Sequence, residues 1–230
     1  MNVLRKMHEL YNVWREKIVR SKLCFCDETA QISSNNMIVG AKNFTMKEYS
    51  LLQPGGTLIL TGGKLILGRW SSIAYNVTII TGNHIPTVGI PHHKASMIHL
   101  NDRECNIEIG DDCWVAANVT LLPGAKLGRG CVVGACALVN REVPPYAVVA
   151  GVPAKIVAVK FTLEQILEHE KQIYDSHERL TRECLEELFF KYYESKSSIG
   201  TDKLSEEQKH KYNYFYHIDK HIEDNWIGNA

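Results

Sequence analysis

Aliphatic residues recur every six positions through the middle of the chain. The repeated aliphatic positions are Ile109, Val115, Leu121, Leu127, Val133 and Val139. Two positions before each of them stands a smaller or thinner residue, at Ile107, Cys113, Val119, Ala125, Cys131 and Ala137. A helix repeats near 3.6 residues and a simple strand near 2, so neither explains this period. A period of six that is sustained over consecutive units is typical of a parallel β-helix.

The period predicts a triangular prism, in which each six-residue unit forms one side and three units complete one coil. The aliphatic side chains point inward, and the smaller residues fit the narrow corners. Coils stack at strand spacing, roughly 4.8 Å, so each coil buries its core only against its neighbours. Residues eighteen positions apart should therefore stack, which pairs Ile109 with Leu127 and Val115 with Val133.

The N-terminal segment, residues 1–29, has a different pattern. Its apolar residues stand three and four positions apart, as Leu10 and Trp14 do, which predicts an amphipathic helix. We expect this helix to pack against the prism or a neighbouring subunit. Contact of its basic residues with a membrane surface or a lipid-linked glycan is the alternative.

The remaining organisation follows from turn and capping signals. The β-helix is predicted over 30–160, and its looser alternation before Leu67 indicates irregular first coils. A C-terminal helical extension is predicted over 161–230. Capping-box patterns at Thr162 and Ser205 open two helical stripes, the first reaching about Tyr193 and the second Ile222.

The six-residue period is interrupted between Thr81 and Glu104. This loop, residues 81–104, contains His84 near its start, in the sequence TGNHIP. A long irregular loop on a compact scaffold is usually functional. A histidine suits a general base because its unperturbed pKa, about 6.5, lies near working pH.

Composition excludes several classes of function. The chain of 230 residues carries 26 Lys and Arg against 26 Asp and Glu, so its formal net charge is zero. This balance argues against a nucleic-acid surface spread over the protein. No apolar run approaches the ~20 residues needed for a transmembrane segment. The seven cysteines, an odd number, predict reduced thiols and a cytoplasmic protein.

Three segments resemble the hexapeptide-repeat acetyltransferases, in particular the sugar and xenobiotic O-acetyltransferases of the galactoside, maltose and streptogramin types. The segments are IAYNVTIITGNHIP (73–86), CWVAANVTLLPGAKLG (113–128) and VPPYAVVAGVPAKIV (143–157). The resemblance implies a mainly β, left-handed parallel β-helix with a protruding loop. It also implies acetyl-CoA as cosubstrate, no metal, and a homotrimer whose active sites lie between subunits.

The resemblance also implies roles for individual residues. His84 matches the catalytic histidine, and the backbone N–H of Ala117 matches the donor that faces the thioester oxygen. Trp114 and Asn83 match a wall of the acceptor site or reacting centre. The positions that match contacts with coenzyme A are Ala135, Asn140 and Lys155. Two departures stand out: Ala116 replaces the usual glycine after Trp114-Val115, and Ala158 replaces a second basic residue.

These implications predict an acetyl-CoA-dependent O-acetyltransferase that acts on a hydroxyl of a sugar or polysaccharide, with His84 as general base. N-acylation of an amino sugar, or acetylation of an antibiotic, is the first alternative. A non-catalytic β-helix that serves as a scaffold or binds glycans is the second.

The other histidines and cysteines do not predict a metal site. His92 and His93 are adjacent, so on an extended chain their side chains point in opposite directions. Cys24 and Cys26 have no second pair that would complete a zinc site. His217 and His221 stand four apart, but no third ligand is near them in sequence.

Overall fold

Three sheets form the walls of a prism, and the chain visits them in rotation. A computed structural model describes residues 3–217. Sheet A contains β1 (Phe25–Cys26), β4 (Phe44–Met46), β7 (Leu65–Leu67), β12 (Ile107–Ile109), β15 (Lys126–Leu127) and β18 (Glu142–Val143). Sheet B contains β2 (Gln31–Ile32), β5 (Leu51–Leu52), β8 (Ser72–Ile73), β13 (Trp114–Val115), β16 (Val132–Val133), β19 (Ala147–Ala150) and β20 (Lys155–Val159). Sheet C contains β3 (Met37–Val39), β6 (Thr57–Ile59), β9 (Thr78–Ile80), β14 (Thr120–Leu121) and β17 (Leu138–Val139).

The register confirms the predicted parallel β-helix. Ile109 pairs with Leu127 and Val115 pairs with Val133, eighteen positions apart in each case. The twelve periodic core positions from Ile107 to Val139 are all buried. Burial of one such aliphatic side chain contributes about 1.5–3 kcal/mol, so the stacked rows account for much of the stability of the prism.

The first coils are irregular, as predicted, because they are longer. Thr57 pairs with Thr78, twenty-one positions on, and Gln31 pairs with Leu51, twenty positions on. Extra residues lie at the corners, for example in the short 3-10 turn Ala41–Asn43. The inward pattern is nevertheless kept, since Leu58, Leu60, Leu65 and Leu67 are fully buried.

Helix α1 (Val3–Ser21) precedes the prism. Its Arg20 guanidinium donates hydrogen bonds to the backbone carbonyls of Asp27 and Ala30. The apolar stripe does not face the prism: Leu10 and Trp14 are exposed. The first strand begins at Phe25, inside the segment predicted to be helical.

The interrupting loop is more ordered than its sequence suggests. It consists of the antiparallel strands β10 (Gly82–His84) and β11 (Asp102–Glu104), with helix α2 (His92–Met97) between them. The hairpin leaves the prism between β9 of sheet C and β12 of sheet A. Loop 81–104 is therefore a β-ribbon with a short helical tip.

The base of the ribbon lies close to two glycines on the neighbouring coil, and at Gly63 the contact is with backbone. A Cβ at Gly63 would lie 2.5 Å from the carbonyl oxygen of Cys105, and a Cβ at Gly62 would lie 2.2 Å from the Glu104 side chain. The Gly63 N–H also donates to the Thr81 hydroxyl, which is buried at the start of the ribbon. Both ends of the ribbon therefore pack closely against the neighbouring coil.

We expect Gly63→Ala to destabilise the protein, because backbone atoms must move to admit the methyl group. Overpacking of this kind costs about 1–3 kcal/mol, measurable as a lower free energy of unfolding in urea. Gly82→Ala is the matched control, since nothing lies within 4 Å of a Cβ built there. Equal stability of the two variants would show that the close approach does not constrain the ribbon.

Up to residue 217, the C-terminal region contains three helices, α3 (Leu163–Ile173), α4 (Arg182–Leu188) and α5 (Glu206–His217). Helix α4 continues into a π-helical turn, Phe189–Tyr193. Both capping boxes are present, at Thr162 and at Ser205. The prediction of one helical stripe from Thr162 to Tyr193 was wrong. Tyr174 ends α3, and Thr181 caps a separate helix by accepting a hydrogen bond from the Cys184 N–H.

No helix among residues 3–217 is long and apolar enough to cross a membrane. Of the predicted His217–His221 pair, His221 lies outside the described residues, as does Ile222.

Candidate active site

His84 ends strand β10 and faces Asp102 directly across the ribbon. Directly opposed residues of an antiparallel pair project to the same face, and the two side chains meet there. The His84 Nδ1 atom lies 2.7 Å from Asp102 Oδ1. The His84 side chain remains 43% exposed.

The second oxygen of Asp102 is also occupied. His99 Nδ1 lies 2.7 Å from Asp102 Oδ2. The His84 ring centroid is 5.9 Å from that of His99 and 5.9 Å from that of His92. One carboxylate thus joins two imidazoles, and a third ring lies beside them.

Hydrogen bonding keeps Asp102 ionised and sets the tautomer of its histidine partners. The bonds with His84 and His99 lower the pKa of the Asp102 carboxyl. An ionised carboxylate only accepts hydrogen bonds, so Nδ1 of each histidine carries a proton. The Nε2 atom of neutral His84 is then unprotonated, which is the state that a general base requires.

His84, His99 and Asp102 also have potential metal-ligand atoms within 4.8 Å of one another, and within 3–217 they are the one group that does. Each imidazole–carboxylate distance is that of a hydrogen bond. The cluster is therefore explained by its hydrogen bonds, and the geometry demands no ion.

Asp102 was missed in the sequence because it stands eighteen positions after His84 within an apparently irregular loop. The available signal was the regular prism on either side. If Thr81 and Cys105 face each other at the base of a two-stranded ribbon, each further step along one strand faces one step back along the other. Three steps on, His84 faces Asp102.

We expect Asp102→Asn to lower kcat by roughly tenfold or more, if His84 is the base. An amide can donate to Nδ1 and thereby place the proton on Nε2, which is the wrong tautomer. The readout is kcat against the KM for acetyl-CoA, and we expect kcat to fall while KM is unchanged. His99→Ala, which leaves the His84–Asp102 bond intact, is the control. A higher KM for acetyl-CoA with unchanged kcat would contradict a positioning role.

The lowered pKa of Asp102 determines how its bonds to His84 and His99 depend on pH. A depressed folded-state pKa means that the stabilising bonds to both histidines are present above the ordinary value of about 3.9. They are lost only as pH falls through the lowered value. Acid titration by NMR should therefore show Asp102 protonating below an unperturbed aspartate.

Trp114 and Ala117 lie at a different corner from His84. Trp114 projects from sheet B and is 55% exposed. Ala117 lies in the turn between sheets B and C, where its carbonyl accepts from the Cys136 N–H. No hydrogen bond or ring contact in the described part of the chain joins His84 to either residue. Within one chain, the predicted base and the predicted oxyanion donor do not meet.

Asn83, the other predicted wall residue, faces Arg103 across the ribbon and is exposed. Successive side chains of a strand point to opposite faces. The ribbon therefore places Asn83 and His84 on different faces.

Comparison with known proteins agrees with the repeat pattern. The six-repeat bacterial transferase hexapeptide family matches residues 106–141. A probable macrolide acetyltransferase of Lysinibacillus sphaericus is 33% identical over 153 residues, which is 57% of this chain and 85% of that protein. The chain belongs to the hexapeptide-repeat acetyltransferase family.

Other relatives of this hexapeptide-repeat acetyltransferase match over less of their length. A chloramphenicol acetyltransferase of Klebsiella aerogenes is 34% identical over 115 residues, or 45% of this chain. The chain spans about half, 55%, of that relative.

Two solved structures share the fold. A hexapeptide-repeat acetyltransferase of Vibrio cholerae, complexed with acetyl coenzyme A, has a TM-score of 0.51 at 22% identity, over 64% of this chain and 76% of that one. A maltose O-acetyltransferase of Clostridium difficile has a TM-score of 0.54 at 22% identity, over 63% of this chain and 74% of that one. At this identity the likeness concerns the fold.

In this hexapeptide-repeat acetyltransferase, the residues matched to coenzyme A contacts lie toward the C-terminal end of the prism. Ala135, Asn140 and Lys155 are exposed. Lys155 lines a cavity of about 610 Å³, together with Lys126 and Arg141. Three cations therefore border one partly apolar recess.

Ala158 stands where the family has a second basic residue, and the next basic residue is Lys160. Lys160 makes contacts within the chain. Its ammonium lies 2.6 Å from Asp112 Oδ2, and His169 Nε2 lies 3.0 Å from the same oxygen. These two bonds lower the pKa of the Asp112 carboxyl against the opposing effect of burial, which is the largest single influence. Asp112 therefore joins Lys160, at the end of the prism, to His169 of α3.

Proposed function

We propose that this protein transfers an acetyl group from acetyl-CoA to a hydroxyl group of a sugar or polysaccharide. The observation that carries the proposal is the hydrogen-bonded His84–Asp102 pair, set on a ribbon that projects from a prism built of family repeats. The likeness to a maltose O-acetyltransferase supports a sugar hydroxyl as acceptor. The complex of the Vibrio cholerae structure supports acetyl-CoA as donor.

His84 is the general base of the proposed reaction. Its Nε2 takes the proton of the acceptor hydroxyl while that oxygen attacks the carbonyl carbon of the thioester. The carbon–sulfur bond then breaks, and the proton on Nε2 passes to the departing thiolate of coenzyme A. Asp102 holds the ring in the required tautomer and stabilises the imidazolium that forms transiently.

The Ala117 N–H is the proposed donor to the thioester oxygen. The backbone hydrogen bonds of the described residues leave this N–H without an acceptor, so it is available as charge develops on the oxygen. A preorganised donor of this kind stabilises the transition state. Trp114, exposed on the adjoining sheet, is the proposed wall beside the reacting centre. Asn83 points to the other face of the ribbon from His84, so it is left out of that wall.

The separation of these groups within one chain supports a homotrimer. His84 leaves the prism at the corner between sheets C and A, whereas Ala117 lies at the corner between sheets B and C. Packing the ribbon of one protomer against the B–C corner of the next would bring them together. Three such contacts around a threefold axis close a ring with three equivalent sites.

The cationic recess is the proposed site for the phosphates of coenzyme A. Lys155 is the family match, and Lys126 and Arg141 border the same cavity. Cations of this kind bind phosphate as point charges or as a planar fork. Ala135 and Asn140 lie along the coils that lead to the recess. The seven free thiols support a reducing, cytoplasmic location.

Acetylation of an antibiotic is the second candidate function. The macrolide and chloramphenicol acetyltransferases among the relatives favour it. Both candidates use the same base and donor, and they differ only in the acceptor.

The test is an acceptor panel with acetyl-CoA, with coenzyme A release followed by chromatography and products identified by mass spectrometry. We expect O-acetylated sugar or polysaccharide and a trimeric mass by light scattering. Turnover with macrolides or chloramphenicol alone would favour the second candidate. No acetyl-CoA binding by calorimetry would show that the prism is a scaffold or a glycan-binding module.

A further inference from the structure

Helix α1 turns its polar side toward the prism. Arg15 donates to the Ser34 carbonyl at 3.2 Å, and Arg20 donates to the Asp27 carbonyl at 2.7 Å. Glu16 is half buried, and burial raises the pKa of its carboxyl despite a hydrogen bond with the Ile32 backbone and the nearby charge of Arg20. Arg15, Glu16 and Arg20 therefore face the prism, together with Val19, which packs against the core near the end of the helix.

The apolar side of α1 consequently faces outward. Met7, Leu10, Tyr11 and Trp14 are all exposed, and Leu10 is 63% exposed. Tyr11 and Trp14 stack on each other with ring centroids 6.1 Å apart. A helix on the surface of a globular protein normally turns its apolar stripe toward the core. In α1 this arrangement is reversed, and four large side chains form an outward patch.

The charges beside this patch are positive. Lys6 and Lys17 are exposed and stand four positions before and seven positions after Leu10, so they lie on the same side of the helix. Among the side chains of α1 that the structure describes, the one carboxylate is Glu16, which packs toward the prism. The outward face thus combines aromatic and aliphatic side chains with lysines.

We propose that this outward face, Met7, Leu10, Tyr11 and Trp14 flanked by Lys6 and Lys17, binds the surface of a membrane that contains anionic lipid. Aromatic rings with a polar edge favour the boundary between headgroups and acyl chains. Exposed lysines are attracted to anionic headgroups. An apolar face with lysines beside it is the pattern of a helix that lies in the membrane interface.

A second copy of the chain fits this face less well. A twofold contact between two α1 helices would bring the lysines of both copies together, and like charges repel. The contacts of the proposed trimer use the ribbon and the B–C corner, and they leave α1 uncovered. Because the helix is amphipathic rather than uniformly apolar, it would lie along the membrane surface. The inference goes beyond acetyl transfer and does not depend on it, since membrane binding requires neither acetyl-CoA nor an acceptor.

The test is cosedimentation of the purified full chain with vesicles of phosphatidylcholine, with and without phosphatidylglycerol. We expect binding only to vesicles that contain phosphatidylglycerol. The double variant Lys6→Glu/Lys17→Glu should lower the ratio of bound to free protein by about tenfold or more. Leu10→Ser/Trp14→Ser should abolish binding, because it removes the apolar contact.

Matched controls are Lys196→Glu/Lys203→Glu for charge and Phe190→Ser for an exposed aromatic, all outside α1. We expect these to bind as the unaltered protein does. All substituted side chains are exposed, and melting followed by circular dichroism verifies folding. The proposal is overturned if the unaltered protein stays in the supernatant with both vesicle types. It is also overturned if the α1 variants sediment with the vesicles as the unaltered protein does. If Leu10→Ser/Trp14→Ser lowers the native mass without changing vesicle binding, the face is a contact between copies and the proposal is wrong.

Discussion

Replacement of His84 by alanine is expected to lower kcat/KM for acetyl transfer by about 10²–10⁴. The variant loses the imidazole at the end of strand β10, whose Nδ1 bonds to the Asp102 carboxylate and whose side chain is partly exposed. Because the side chain is 43% exposed, the fold should be retained. The measurement is the rate of coenzyme A release at saturating and limiting acceptor.

His93→Ala is the matched control for this prediction. His93 lies in the same loop, on helix α2, and its side chain is exposed. Its carbonyl accepts from the Ser96 hydroxyl, a contact that alanine preserves. We expect the control to retain normal kinetics. Full acetyl transfer by the His84 variant, with an unchanged melting temperature, would show that another group acts as base.

The second large effect concerns stability. Glu170 on α3 is 1% exposed and accepts three kinds of donor. The Tyr146 hydroxyl donates at 2.7 Å, the Leu180 N–H at 3.0 Å and the Arg129 guanidinium at 3.1 Å. Burial, together with this bond to Glu170, raises the pKa of the Tyr146 hydroxyl, which keeps it a donor. One carboxylate therefore joins the prism, α3 and the segment before α4.

Glu170→Ala should destabilise the protein by about 3–5 kcal/mol, because it removes the buried acceptor that Arg129, Tyr146 and Leu180 share. For a chain of this length that corresponds to a melting temperature roughly 6–20 °C lower. Differential scanning calorimetry measures it directly. Glu170→Gln, which keeps the shape and one acceptor oxygen, should lose less.

Glu164→Ala provides the comparison on the same helix. Glu164 pairs with Arg182 at 2.7 Å, but both side chains are exposed, and solvent screens such pairs. We expect little change in melting temperature. A similar loss in both variants would mean that burial of the Glu170 network does not decide its contribution.

Much of the prism could be predicted because its interactions are local in pattern. Each six-residue unit carries its own inward aliphatic residue, and the stacking partner lies one coil away. Ile109 on Leu127 and Val115 on Val133 follow directly from that period. The capping boxes at Thr162 and Ser205 could also be predicted, since the paired residues are three positions apart.

Features made by long-range contacts could not be predicted in this way. Tyr146 and Glu170 are twenty-four positions apart, and Arg129 is forty-one from Glu170. The segment after the break in the first C-terminal helix is held by this network, because the Leu180 N–H donates to Glu170. No local spacing encodes such contacts.

The sequence by itself determined the repeating core, the place of the interruption and the histidine at its edge, because each is a property of neighbouring residues. Only the tertiary structure decided that Asp102 faces His84, that Lys160 is engaged by Asp112, and that α1 turns its apolar side outward. The physical reason is common to all three. A side chain's partner is set by which backbone segments the fold brings within about 3 Å hydrogen-bond reach, and that proximity exists only once the coils have stacked.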